Sequence, residues 1–158
     1  MSTQAWRRGL PYLLAALALL VGAGCVGADG ATESVGSRIS VSDPYIPDPP
    51  GDVAAAYLHI SNDGDGGDTL LGVRSDASRV AELHETVFEG GSVSMRRVDA
   101  LAIPAGETVA LDPGGFHVML IDPVEPLEEG GQVRLVLTFE VAGEVEVFAD
   151  VVPTGGPR

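Results

Sequence analysis

Arg134-Leu135-Val136-Leu137-Thr138-Phe139 is the stretch that decides the fold. Its residues Leu135, Leu137 and Phe139 share one face only if successive side chains point to opposite sides, the period of a strand. A few residues on, Glu144-Val145-Glu146-Val147-Phe148 repeats the pattern, with Val145 and Val147 inward and both glutamates in water. Ala142-Gly143 stands between the two runs as a turn signal.

The same reading extends upstream. Short apolar or alternating runs predict strands over Arg38–Val41, Ala54–Ser61, Thr69–Ser75, Ala81–Phe88, Ser92–Val98, Thr108–Leu111, His117–Ile121, Gln132–Phe139 and Glu144–Val151. Asn62-Asp63-Gly64, Glu89-Gly90-Gly91 and Asp112-Pro113-Gly114-Gly115 supply turns between them. Pro44, Pro47, Pro49 and Pro50 keep the segment before the second strand out of any helix. The only helical feature expected is a short turn near Asp76–Arg79. No internal repeat and no long helix are visible. The fold class is therefore all-β, a single sandwich or barrel. The chain is long enough to bury one such core, with few aromatics to fill it.

The N-terminus follows a different grammar. Trp6-Arg7-Arg8-Gly9 is a short basic region, and Leu10 to Val21 is an apolar run of about a dozen residues, short of the roughly 20 that span a bilayer. Gly22-Ala23-Gly24 and Cys25 follow. This is the layout of a secretory signal peptide over residues 1–25. Small residues before a cysteine also resemble a bacterial lipobox, in which Cys25 would carry the lipid anchor; Gly22 stands where Leu is usual. A plain signal peptide with an incidental Cys25 is the alternative. Residues 26–37, rich in Gly, Ala, Ser and Thr, read as a flexible tether. The domain is expected over 38–153, with 154–158 as a disordered tail. An exported location follows, in the periplasm or on the outer face of the cell membrane, with membrane contact only through Cys25.

Composition excludes several chemistries. Cys25 is the only cysteine, so the domain has no disulfide, no zinc–thiolate site and no thiol nucleophile. Every basic residue is Arg. Without Arg7 and Arg8 there remain seven arginines against 23 acids, a formal charge of −16. Such a surface repels nucleic acid and anionic lipid, and attracts cations and basic partners. Solubility alone is an equal explanation of the charge. No Ser-His-Asp pattern, phosphate loop or pair of catalytic carboxylates stands out, so an enzyme is not expected, and a monomer is.

One constellation remains. Of three methionines one is Met1; the other two, Met95 and Met119, fall near His84 and His117. His117 and Met119, at i and i+2 on one strand, point to the same face. Glu89-Gly90-Gly91 makes a hairpin of the flanking runs. A three-residue loop sets His84 across from Arg96, and a two-residue turn sets it across from Arg97; either brings His84 and Met95 close. The four side chains could converge at one end of a sandwich. Two imidazoles and two thioethers form a neutral, soft donor set that suits copper(I) better than zinc, calcium or magnesium. A blue-copper site would need a cysteine. His59 has no Met or second His near it in sequence and reads as structural or surface.

The spacing His84-x10-Met95-x21-His117-x-Met119 resembles the signature of the PCu(A)C periplasmic copper chaperone family. So do Ala54-Ala55-Ala56-Tyr57-Leu58 with Ser61-Asn62, Glu82-Leu83-His84-Glu85-Thr86, Ser94-Met95-Arg96, Pro113 to Leu120, Leu127-Glu128-Glu129-Gly130 and Leu135 to Phe139. The likeness runs from about Ser40 to Val151. It implies a cupredoxin-like β-sandwich (a Greek-key barrel) that binds one copper(I) through His84, Met95, His117 and Met119. It also implies delivery of copper to subunit II of a haem–copper respiratory oxidase such as cytochrome c oxidase, together with a Sco-type thiol protein. A copper buffer or resistance protein would use the same site. Many family members have Met directly after the first His; here it is Glu85, expected to face solvent.

Overall fold

The computed structural model describes residues 36–49 and 51–156. The expected signal peptide, the lipobox at Cys25 and nearly all of the tether lie outside the described residues. Ten strands account for the fold: β1 (Ile39–Pro47), β2 (Val53–Asn62), β3 (Asp68–Ser75), β4 (Ser78–Glu89), β5 (Ser92–Arg97), β6 (Leu101–Ile103), β7 (Thr108–Leu111), β8 (Phe116–Pro123), β9 (Gln132–Phe139) and β10 (Gly143–Val152). There is no helix among the described residues.

The hydrogen-bonded order is β5-β4-β8-β2-β1-β10-β9-β3-β6, with β7 added on β2. Only β1 and β10 run parallel. β2 belongs to both layers: its first half, Val53–Ala56, pairs with β8, and its second half pairs with β1 and β7. The small layer is thus β5-β4-β8-β2, and the large one continues from β2 through β1 to β6. This is a cupredoxin-like β-sandwich.

Alternation makes the core. Leu135, Leu137 and Phe139 of β9 are buried, as their spacing predicts, and Val145 and Val147 of β10 pack against the same cluster. β2 buries every second residue: Ala54, Ala56, Leu58, Ile60 and Asn62 point inward. Each large aliphatic side chain so buried contributes about 1.5–3 kcal/mol. Two polar side chains buried beside the core, Asn62 and Asp68, are fully used. Asn62 accepts from the backbone N–H groups of Arg38 and Gly64, and donates to the carbonyls of Gly66 and Ile103. It thereby ties β1, the 63–66 loop and β6 together. Asp68 accepts from Ser37, Thr69, Val141 and Ala142. Burial alone would raise its carboxyl pKa; these donors outweigh it and hold the pKa below the usual range.

Three expectations need correction. Asp76–Arg79 is not a helical turn: Asp76-Ala77 is a tight turn, and Ser78 already begins β4, because the chain must cross there from the large layer to the small one. β6, Leu101–Ile103, was not anticipated; it is three residues long and ends at Pro104. β1 does not stop at Val41. A bulge between Ser42 and Tyr45, with Asp43 at φ 52°, absorbs Pro44, and the strand resumes as Tyr45–Pro47 alongside β10. Beyond β10, Thr154-Gly155 form a turn closed by the Gly156 N–H on the Pro153 carbonyl, and the Thr154 hydroxyl donates to the Asp48 carbonyl.

Candidate metal centre

The small layer carries its chemistry on its outer face. On β8, Val118 and Leu120 are buried in the core, so His117 and Met119 point the other way. On β4, Leu83 is buried, so Glu82 and His84 point outward with them. The candidate ligands of β4 and β8 therefore lie on the face of the four-stranded layer that is turned away from the core. The pairing of β4 with β8 lays their i, i+2 positions out as a two-dimensional grid on that face.

The register fixes the grid. Gly90 and Gly91, at φ 56° and 83°, form a two-residue turn in which both residues need the left-handed region. Phe88 then pairs with Val93, Thr86 with Met95, and His84 with Arg97. On the other side of β4, His84 pairs with His117 and Glu82 with Met119. One row of the sheet reads Arg97, His84, His117. Met95 sits one row nearer the turn, across from Thr86. Gly115, whose carbonyl accepts from the Thr86 N–H at 3.0 Å, adds no side chain there.

Met95, His117 and Met119 line one open recess of about 290 Å³, together with Tyr57, Ala55 and Val53 of β2 and the Pro47-Asp48-Pro49 end of β1. His84 does not line it, but its ring stands 6.0 Å from that of His117. Exposure is graded. His117 is 2% exposed, His84 is largely covered, and Met95 on the edge strand is 57% exposed.

The two imidazoles have complementary free nitrogens. His84 Nε2 lies 3.0 Å from a carboxylate oxygen of Glu82. A carboxylate only accepts, so Nε2 carries the proton. His117 Nδ1 lies 3.2 Å from the carbonyl oxygen of Gly115 and carries its proton likewise. The remaining atoms, His84 Nδ1 and His117 Nε2, are buried and have no protein partner. Leaving such an acceptor unpaired costs about 1–3 kcal/mol. Two imidazoles sharing one ion through bonds of about 2 Å have centroids roughly 5–6 Å apart, so the spacing of the rings suits a shared ion.

Electrostatics favour neutral imidazole at His117. Burial lowers its pKa first, and the charge of His84 adds to this; the Gly115 hydrogen bond opposes both without prevailing. Tyr57, whose ring is 6.3 Å from that of His117, is pushed up by burial and by Tyr45 beside it, and stays a phenol. Hydrogen bonding from His84 lowers the pKa of Glu82, with Arg97 adding to it. No group of three His, Cys, Asp or Glu side chains among the described residues is arranged to hold a metal ion, so thioethers are the further donors that an ion here could draw on. Two nitrogens and two thioether sulfurs could hold a soft monovalent ion and would hold a hard divalent one poorly.

Other sequence readings find their places. Glu85 lies on the opposite face from His84 and pairs with Arg96 at 2.6 Å. His59 faces outward between Asp43 (3.5 Å) and Asp112 (3.3 Å) and is not among the residues lining the recess. Glu82, Arg97 and Tyr57 were not singled out as functional from sequence. Glu82 is at i−2 from His84, which places it on the same face of a strand; that spacing was the signal available.

A family model described as "Putative lipoprotein LpqE-like" matches residues 39–151. "Putative lipoprotein Lxx21020" of Leifsonia xyli subsp. xyli is 34% identical over 102 residues, 64% of this chain; the match spans 61% of that relative's length. Among solved structures, the copper-bound PCuAC domain from PmoF2 is 30% identical, with a TM-score of 0.62 over 73% of this chain and 93% of that one. The solution structure of CuI-DR1885 from Deinococcus radiodurans is 28% identical, with a TM-score of 0.59 over 82% and 87%.

Proposed function

Because the chain belongs to the LpqE-like family of PCuAC domains, we propose that it is an extracytoplasmic copper(I) chaperone whose cargo is held by His84, Met95, His117 and Met119. The observation that carries this reading is the pair of buried, unpartnered nitrogens, His84 Nδ1 and His117 Nε2, beside a recess lined by both thioethers. Copper(I) accepts nitrogen and thioether donors at low coordination number and asks for no anionic ligand. The copper-bound PmoF2 domain and CuI-DR1885 support the choice of metal.

A carrier has to hold its ion and still release it. His84 and His117 are held by backbone and carboxylate hydrogen bonds on two central strands. Met95 is on the exposed edge strand β5. A recipient's ligand can replace the Met95 sulfur first, while both nitrogens keep the ion. The recipient proposed is the copper centre of subunit II of a haem–copper oxidase, reached directly or through a Sco-type thiol protein. Export by the N-terminal signal and anchoring through Cys25 belong to the same proposal, and the lipoprotein names of the family model and of the Leifsonia relative favour it.

Competition for copper(I) against a chromogenic chelator tests the site. The Met95→Ala/Met119→Ala double variant is expected to lose the competition at chelator concentrations where the wild type retains its metal. Equal affinity of the two proteins would remove the thioethers from the site. Transfer of copper from the loaded protein to a subunit II domain, with and without a thiol partner, separates delivery from storage.

A further inference from the structure

We propose that Glu82, held in place by Arg97, is a positioning residue that selects which nitrogen of His84 meets the metal. This rests on the copper reading above and adds an atom-level claim: copper(I) binds His84 through Nδ1 and His117 through Nε2.

The two oxygens of Glu82 are divided. Oε2 accepts a hydrogen bond from His84 Nε2–H at 3.0 Å, and Oε1 accepts one from Arg97 Nη1 at 3.0 Å. The donors come from different strands. His84 is two residues along β4 from Glu82, and Arg97 is directly across β5 from His84. The carboxylate thus cannot turn toward one donor without losing the other. A histidine ligand needs its second nitrogen anchored to present a fixed lone pair. With Nε2–H engaged, the lone pair is on Nδ1, the atom that is buried and without a protein partner. His117 is anchored at the opposite nitrogen, by the Gly115 carbonyl, and offers Nε2. The same clamp serves the third ligand. Arg97 is two residues from Met95 on the same face of β5, so the Glu82–Arg97 bridge also fastens the edge strand that carries the exposed thioether.

A purely structural ion pair would not set a tautomer, and that is the discriminating readout. Long-range nitrogen–proton NMR spectra of the nitrogen-15-labelled protein at mildly alkaline pH report the His84 tautomer without metal, and the bound nitrogen once copper(I) is added. The wild type is expected to show only the Nε2–H form of His84, and copper(I) is expected to shift His84 Nδ1 and His117 Nε2. Glu82→Ala should mix the His84 tautomers and weaken copper(I) binding by about 10–100-fold. Glu82→Gln keeps one acceptor oxygen for the two donors, so it should restore the tautomer and the affinity only in part. An Nδ1–H tautomer in the wild type, copper on His84 Nε2, or wild-type tautomer and affinity in Glu82→Ala would each overturn the proposal. If Glu82→Ala does not fold, the wild-type and Glu82→Gln spectra decide. A wild type that binds no copper(I) defeats the parent reading; a protein that binds copper(I) through the wrong nitrogen defeats only this one.

Discussion

His84 on β4 and His117 on β8 are direct cross-strand partners, and their rings stand 6.0 Å apart at an interplanar angle of 50°. The pair is stiff because the neighbours Leu83 and Val118, themselves paired, are buried in the core on the other face. Met95 has no such backing; every residue of β5 is exposed. The proposed donor set is therefore divided between nitrogens backed by the core and, at Met95, a thioether on an exposed edge strand.

That division predicts unequal variants. Met95→Ala removes an exposed side chain, and stability in urea should change by no more than about 0.5 kcal/mol. Copper(I) affinity should fall by at least the roughly tenfold that changes around a metal site cost. A loss of stability without a loss of affinity would assign Met95 to packing instead.

Glu85→Ala is the matching control. Glu85 faces away from His84 and is paired with Arg96, so copper(I) affinity should stay within about twofold of wild type. Surface ion pairs of this kind contribute about 0–1 kcal/mol, and stability should move no further than that. A tenfold change in chelator competition would show that Glu85 reaches the ion.

Acid should weaken the metal-free fold through His117. Its pKa is depressed in the folded state, so the unfolded chain takes up the proton first, near the ordinary value of about 6.5. Stability is then complete above that pH and declines as pH falls toward the folded pKa. Urea midpoints measured between pH 7.5 and 5.5 should decline in the wild type and flatten in His117→Gln. The same shift keeps His117 neutral, and available to copper, at pH values where a free imidazole is half protonated. Identical slopes in the two proteins would deny His117 this part.

Asp68 should be a stability residue with no influence on copper. Replacing it with Ala strands the Thr69, Val141 and Ala142 N–H groups, and a loss of about 3 kcal/mol is expected. Its lowered pKa gives a second signature. The stability it contributes is present above the unfolded value of about 3.9 and is lost as pH falls through the folded value. Urea unfolding together with chelator competition checks both halves; a loss under 1 kcal/mol would be too small for the hydrogen bonds seen.

Much of this was legible in sequence where side-chain period carries the information. Leu135, Leu137 and Phe139 announce the core because burial on one face of a strand forces alternation. His117 and Met119 announce a shared face for the same reason. Three features needed the third dimension. The hairpin register turned on whether Gly90-Gly91 acts alone or with Glu89, which spacing leaves open. The path of β1 past Pro44 depends on a bulge, since a proline in sequence reads as the end of a strand. His117 is buried although it points away from the core, beside a recess that Tyr57 and Pro47–Pro49 also line, and alternation within β8 says nothing of such burial. That His84, His117 and Met119 take the outward face of the small layer follows from Leu83, Val118 and Leu120 filling the core side.

X-ray absorption at the copper edge of the protein loaded with one equivalent of copper(I) is the most direct measurement. A first shell of mixed nitrogen and sulfur scatterers is predicted, with the sulfur contribution reduced in Met95→Ala and absent in the Met95→Ala/Met119→Ala double variant. A shell of nitrogen and oxygen alone in the wild type, or a sulfur signal that survives loss of both methionines, would contradict the site.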